Sequence, residues 1–394
     1  MTATFRFSFS PCLSVFCWLV LLTLPFPLPV VCGELPEHFD AKVHPHWGAE
    51  FPEYASVEEV RNSPDAWRDF ALQGEYVGSR DGHQAGFHLI ALGNGQFQFV
   101  LYPGGLPGDG WQVGSIRMFG SGVVEEDEIV LTTERILSID TVYPVQETIK
   151  TTRYRFHIEP LKADELSGPS CVLERTERGV IPLLRLEKIY RQSATMGLAP
   201  PKDACVIFDG TNTDAFVTTH EGPAKVNRKR PDGVTLWAGA TTQAMDRWWE
   251  RPLTLHVEFM NTYRPNSRGQ ARSNSGVFLA ETYEIQILDS FGLESEMGDC
   301  GALYSSRIVD VNVCYPPLIW QTYDIEFTPP KFQDGKKTAN SLWTVKFNDV
   351  TVHDNYEMIN KTPADKEELP EPRGLYFQPH ENRVQFRNIW IQFH

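Results

Sequence analysis

Two short stretches of the chain carry side chains that together can move protons. In Tyr283-Glu284-Ile285-Gln286-Ile287-Leu288-Asp289 polar and apolar residues alternate. In an extended strand Ile285 and Ile287 therefore point one way, into a core, and Glu284 and Gln286 point the other. Polar groups on one face of an otherwise apolar strand need solvent, a partner or a substrate. The residues Tyr376, Gln378 and His380 repeat the arrangement, with Leu375 and Phe377 opposite. Pro379 ends that strand and leaves His380 at its terminus, where the charge of an imidazole is adjustable. A third polar set, Arg383, Gln385 and Arg387, precedes Ile389-Trp390-Ile391. A carboxylate with an imidazole is equipment for general acid–base catalysis, so Glu284 and His380 are the candidate catalytic pair. The plainer readings are a solvated strand face and an ordinary surface histidine.

The elements that must position these residues read as β structure. The 394 residues include 29 Gly and 28 Pro, which imply many turns, and 12% aromatic residues. With 41% hydrophobic and 22% charged residues, the composition is that of a folded chain long enough for two domains. From Cys205 onward, expected strands are Leu253–Met260, Ser275–Glu281, Tyr283–Asp289, Trp320–Phe327, Leu342–Phe347, Val350–His353, Gly374–Gln378 and Val384–Gln392. Short strands, turns and almost no helical periodicity predict an all-β fold, a two-sheet jelly-roll sandwich over 205–394. Residues 34–192 read as a separate β-rich domain of unknown role. It opens with one helix over Ser56–Phe70 and contains a hairpin at Gly93-Asn94-Gly95. A linker is expected over 193–204.

Acidic residues outnumber basic ones, 51 to 36, a formal charge of −15 that argues against nucleic acid and against an anionic membrane surface. Residues 1–33 read as a cleaved signal peptide. The apolar run from Pro11 to Val31 is broken by Pro25, Pro27 and Pro29, and no basic cluster follows it. This predicts an exported protein, periplasmic or extracellular, with no stable membrane span after cleavage. Three of the seven cysteines lie in that leader, and four remain: Cys171, Cys205, Cys300 and Cys314. Pairing as Cys171–Cys205 and Cys300–Cys314 would close modest loops in an oxidising compartment; four buried free thiols are the alternative.

Beyond residue 205 an ordered series of motifs carries a resemblance. It begins at Ile207-Phe208-Asp209-Gly210 and Asn274-Ser275-Gly276-Val277-Phe278-Leu279, and continues through Tyr283–Ser290 and Cys300-Gly301-Ala302-Leu303-Tyr304. Pro316-Pro317, Trp320-Gln321-Thr322-Tyr323-Asp324-Ile325 and Phe386-Arg387-Asn388-Ile389-Trp390-Ile391 complete it. From Val206 to Phe393 the chain resembles the 3-keto-disaccharide hydrolase domain family, a concanavalin A-like (laminin-G-like) sandwich common in secreted bacterial proteins. One departure is Pro379, which stands where the family carries an acid beside its His. The first domain resembles the β-rich region that precedes this domain in some planctomycete-like secreted proteins.

The resemblance implies cleavage of glycosides already oxidised at C3. A C3 ketone acidifies the C2 hydrogen; a base removes it, the enolate expels the C1 substituent, and water adds back. Such a site needs a base near neutral pKa, an acid for the leaving oxygen and donors for the enolate. Glu284 and His380 fill the first two roles, in either order. Gln286, Gln378 and Arg387, with Asn274 and Tyr304 from the motifs, are the substrate-binding candidates. No cofactor is certain from the sequence, and a divalent cation stays open: it would polarise the ketone well, but no dedicated ligand cluster is visible. Two alternatives stand. Glu284-x-Gln286-x-x-Asp289 matches the spacing of retaining glucanases of the same architecture, with Glu284 and Asp289 as the two carboxylates. A lectin-like module would instead bind glycan through aromatics such as Trp237, Trp248, Trp249 and Tyr304.

Overall fold

A computed structural model describes residues 51–126, 128–138, 141–143, 154–158, 170–175, 181–219, 222–364 and 366–394. The expected leader, with Cys12, Cys17 and Cys32, lies outside the described residues, as does the side chain of Cys171. The chain divides into two units: within the described residues one contains Asp65–Tyr190, and the other contains residues 51–64 and Arg191–His394. No described helix is long and apolar enough to cross a membrane.

The first unit is a ring of eight antiparallel strands. Gly74–Arg80, His83–Gly93, Gln96–Pro103, Arg117–Glu125 and Glu128–Ser138 pair in succession. Tyr154–Ile158, Ser170–Arg175 and Ile181–Ile189 continue the ring, and the last of these pairs back onto Gly74–Arg80. Tyr76, Phe87, Leu89, Phe99, Leu131 and Leu186 are buried on the inward face. Phe87 stacks on Phe99 at 5.5 Å and meets Tyr76 edge-on at 6.2 Å. An eight-stranded barrel has room for little beyond its own side chains. Gly120 makes that fit: a Cβ there would lie 2.0 Å from the Thr132 carbonyl and 2.5 Å from the Phe99 ring.

The second unit is the expected sandwich. Its larger sheet runs Val226–Asn227, Thr235–Trp237, Gln385–Phe393, Leu253–Met260, Trp320–Thr328, Ser341–Phe347, Val350–Met358, with Cys205–Phe208 also paired to Gln385–Phe393. The smaller runs Phe216–Val217, Ala240–Thr242, Tyr376–Phe377, Ser275–Leu279, Tyr283–Ile287. Alternate residues of both sheets fill the space between them: Val257, Phe259, Tyr323, Ile325 and Phe347 from one, Val277, Ile285, Ile287 and Phe377 from the other. Contacts such as Phe377–Phe386 at 4.8 Å and Tyr283–Phe327 at 5.7 Å join the layers. Trp248 is fully buried in this core, not displayed for a ligand.

Three expectations change. The single helix of 56–70 is two, Val57–Arg61 and Pro64–Leu72, because Pro64 cannot continue a helix but suits the first position of a new one. The first helix belongs to the second unit, where Arg383 is held by Glu53 and Glu59 and is not displayed for a substrate. The front of the expected linker is docked rather than loose. Thr195 Oγ1 donates to Asp324 at 2.6 Å, the Gly197 N–H donates to Glu258 at 2.6 Å, and the Leu198 carbonyl accepts from Asn388 at 3.0 Å. The expected disulfides are not formed at the described cysteines: Cys205 is exposed, and Cys300 and Cys314 are buried free thiols. Cys300 instead makes a 3.2 Å hydrogen bond with the Tyr323 hydroxyl, and Cys314 Sγ is directed at backbone carbonyls.

Candidate active site

The smaller sheet presents two cross-strand rows on the face turned away from the core. Glu284 lies opposite Phe278, which on its other side lies opposite Tyr376. In the next row Gln286 lies opposite Gly276, whose carbonyl accepts the Gln378 N–H at 3.0 Å. The register is set by the turn between the two strands, where Ala280 and Glu281 take left-handed φ of 52° and 51°. Two L-residues there cost energy, and the turn is held by its neighbours. The Thr282 N–H donates to the Leu279 carbonyl at 3.1 Å and Arg373 Nη1 to Thr282 Oγ1 at 2.7 Å. The backbone of Glu284 is fixed from both sides: its N–H donates to Thr362 Oγ1 at 2.9 Å and its carbonyl accepts from the Tyr304 N–H at 3.2 Å.

The Glu284 carboxyl leans over Gly276, so that a Cβ at that glycine would lie 2.5 Å from Oε1. Among the described residues no hydrogen bond or ion pair reaches it. The residue is 3% exposed, and burial alone pushes its pKa up to about 8. A carboxyl with that value is a stronger base, when ionised, than a surface carboxylate, and it titrates near neutral pH.

Beside it runs a chain of amides whose orientation is fixed by its hydrogen bonds. Gln286 Oε1 accepts from the Ile287 N–H at 3.0 Å, and its Nε2 donates to Gln270 Oε1 at 3.0 Å. Asn274 Nδ2 donates to the same Gln270 oxygen at 3.0 Å, and Gln270 Nε2 donates to the Gly298 carbonyl at 2.8 Å. Two buried acceptors are left without a partner, Asn274 Oδ1 and Gln378 Oε1. Tyr304 borders the chain, because a Cβ on Gly298 would touch both its ring, at 3.7 Å, and Gln270, at 2.9 Å.

The structure thus brings together Glu284, Gln286, Asn274, Gln378 and Tyr304. His380 is exposed in the turn after the Tyr376–Phe377 strand, and among the described residues no hydrogen bond joins it to Glu284. That turn is tied to the site's edge, since Asn382 Oδ1 accepts the Asn274 N–H at 2.6 Å. Arg387 is not part of the site. It lies in the larger sheet, 2.6 Å from Glu258 and stacked over Trp320 at 4.1 Å, because alternation fixes its face but not its sheet. Asp289, the second carboxylate of the glucanase-like alternative, is 1% exposed and held by Arg272 Nε and Nη2 at 3.0 and 2.7 Å. A carboxylate so engaged is a structural ion pair. Asp289→Asn is expected to destabilise the unit by about 3–5 kcal/mol, since it leaves a buried guanidinium uncompensated. Activity per folded molecule should survive, which a thermal melt paired with an activity assay on the folded fraction will read. Gln270 escaped the sequence reading because it sits in the short 3-10 turn Gly269–Ala271, where no periodicity marks it. No group of three or more His, Cys, Asp or Glu suited to a metal occurs among the described residues.

Similarity to known proteins falls on the unit that carries this site. The family model described as the 3-keto-alpha-glucoside-1,2-lyase-like domain matches residues 203–392. A crystal structure from Parabacteroides distasonis, provisionally described as a glycosyl hydrolase, is 27% identical. It aligns over 49% of this chain and 84% of its own, with a TM-score of 0.42. A second from the same organism, described in the same words, is 15% identical over 48% of this chain and 92% of its own, with a TM-score of 0.31. No curated protein matches the chain. The family match and the sandwich cover the same stretch: residues 203–392 are similar to the 3-keto-alpha-glucoside-1,2-lyase-like domain.

Proposed function

We propose that the protein is exported and that its sandwich domain cleaves 3-keto-glycosides by elimination followed by hydration. The observation that carries this reading is the Glu284 carboxyl, buried and unpaired over the gap at Gly276, with its pKa at about 8. Ionised Glu284 takes the proton from C2, which the C3 ketone has acidified. The electron pair moves into the ring, the C1–O bond breaks, and the leaving oxygen takes a proton from His380 or from solvent. Water then adds across the new double bond, which gives the free 3-keto sugar. Gln378 is the proposed amide donor for a keto or hydroxyl oxygen, and Gln286, bonded to Gln270 and to the Ile287 N–H, holds the wall beside it. The family match supports the substrate class, and the unpaired carboxyl supports the base.

The test is to incubate the purified protein with a 3-keto-glucoside and, separately, with its unoxidised parent, and to follow release of the aglycone. Release from the keto substrate alone is expected. Release from the parent alone, or from neither, overturns the reading.

A further inference from the structure

The row that carries Glu284 continues into two aromatic rings. Phe278 and Tyr376 stand side by side on the same outward face, with ring centroids 5.4 Å apart and planes tilted by 50°. The space between the sheets is filled by Val277, Leu279, Leu375 and Phe377 from the same stretches, while Phe278, 6% exposed, is covered by its neighbours and backs the Tyr376 ring. Tyr376 is half-buried, so part of its ring can be reached from outside. Along the adjacent row Gly276 supplies no side chain, and the two orphan acceptors, Asn274 Oδ1 and Gln378 Oε1, belong to residues flanking it. Asn274 is 2% exposed, and its amide cannot turn its oxygen to another use because Nδ2 is held by Gln270. A buried acceptor without a donor is costly, and a ligand that brings donors removes the cost.

From this juxtaposition we infer that Tyr376, backed by Phe278, forms a platform for one pyranose ring, whose hydroxyls donate to Asn274 Oδ1 and Gln378 Oε1. A pyranose suits both halves of the site. One face of the ring is a patch of C–H bonds that packs on an aromatic ring, and its rim carries hydroxyl donors. Seated there, the sugar lies on the same face of the sheet as the Glu284 carboxyl, which leans over Gly276. The inference rests on the proposed carbohydrate substrate but not on cleavage, because none of these contacts involves a ketone.

The test therefore uses trehalose, an α-glucosyl disaccharide without the ketone, and measures equilibrium binding by saturation-transfer NMR and calorimetry to the full chain. Binding is expected. Tyr376→Ala should weaken it by at least about tenfold, and Asn274→Ala should weaken it as well. Tyr376→Phe, which keeps the ring, should restore it, and thermal melts confirm that each variant is folded. If trehalose does not bind, or if folded Tyr376→Ala binds it as tightly as the parent protein, the platform is wrong. Trehalose binding that depends on Tyr376, in a protein that leaves 3-keto-glucosides intact, would keep the platform and overturn the elimination chemistry.

Discussion

Replacing Glu284 by Gln should abolish turnover and, at alkaline pH, make the protein more stable than the original. The first half follows from the proposed role. A positioned general base contributes roughly 10²–10⁴-fold in rate, and an amide of the same shape cannot accept the C2 proton. The second half follows from the site's electrostatics. Burial raises the Glu284 pKa from an ordinary 4.5 to about 8, so the folded protein holds this proton more tightly than the unfolded chain does. Below pH 4.5 both states carry it and nothing is lost. Between 4.5 and 8 the unfolded chain releases the proton and the folded one does not, so stability declines as pH rises. The decline is about 1.4 kcal/mol per pH unit and on the order of 4 kcal/mol over the interval. Gln does not titrate. Melting temperatures of the two proteins measured at pH 5, 7 and 9 should therefore diverge in favour of Glu284→Gln as pH increases. In the same interval kcat/KM of the original protein should climb with pH and level off above about 8, since only about one molecule in ten carries the ionised base at pH 7. Parallel melting curves, or activity that falls through pH 8, would show that the carboxyl is not the buried, proton-holding base described here.

A loss of stability as large as that at Asp289 is expected at the opposite sheet. Glu258 is 1% exposed and sits at the centre of a polar network on the outer face of the larger sheet. It accepts from Arg387 Nε at 2.6 Å, Asn388 Nδ2 at 2.8 Å and the Gly197 N–H at 2.6 Å. His256 Nε2 lies 3.6 Å away. Burial alone would raise its pKa, yet these donors hold it at about 2. Burial likewise opposes charge on His256, but its hydrogen bonds to Asp324, at 2.6 Å, and to Glu258 outweigh that and raise its pKa. Glu258→Ala leaves Arg387 and His256 without their shared anion and should cost about 3–5 kcal/mol. The pH dependence has two limbs. The Glu258 contribution is present above its unfolded value near 4.5 and is lost as pH falls toward 2. The His256 contribution is present below 6.5 and is lost as pH rises through its raised folded value. Chemical denaturation of Glu258→Ala across pH 3–8 checks both. The variant should differ least from the original at the acid end.

Much of the smaller sheet was legible because alternation is a local property. The Tyr283–Ile287 strand is readable from the two isoleucines it buries, and with it the outward direction of Glu284. The sheet to which a strand belongs is not local. Arg387 shares the polar alternation of Gln378 but lies across the core from it, paired with Glu258. Asp289 looked available because its partner, Arg272, comes seventeen residues earlier, in a loop without periodicity. The helix break at Pro64 was visible in principle, since a proline inside a helical pattern marks a boundary. The barrel was not, because in strands such as His83–Gly93 nearly every residue is buried and the two faces cannot be told apart by hydropathy.

The ring closes through Gly74–Arg80 and Ile181–Ile189, its earliest and latest strands. On a ribosome the opening hairpins can pair as they emerge, but the seam cannot be sewn until residue 189 is free of the exit tunnel. Until then both lips of the incomplete cylinder expose unpaired backbone, a template for intermolecular strand addition. This unit therefore has an all-or-none dependence on its final strand. Truncation before Ile181 should yield insoluble material rather than a smaller barrel.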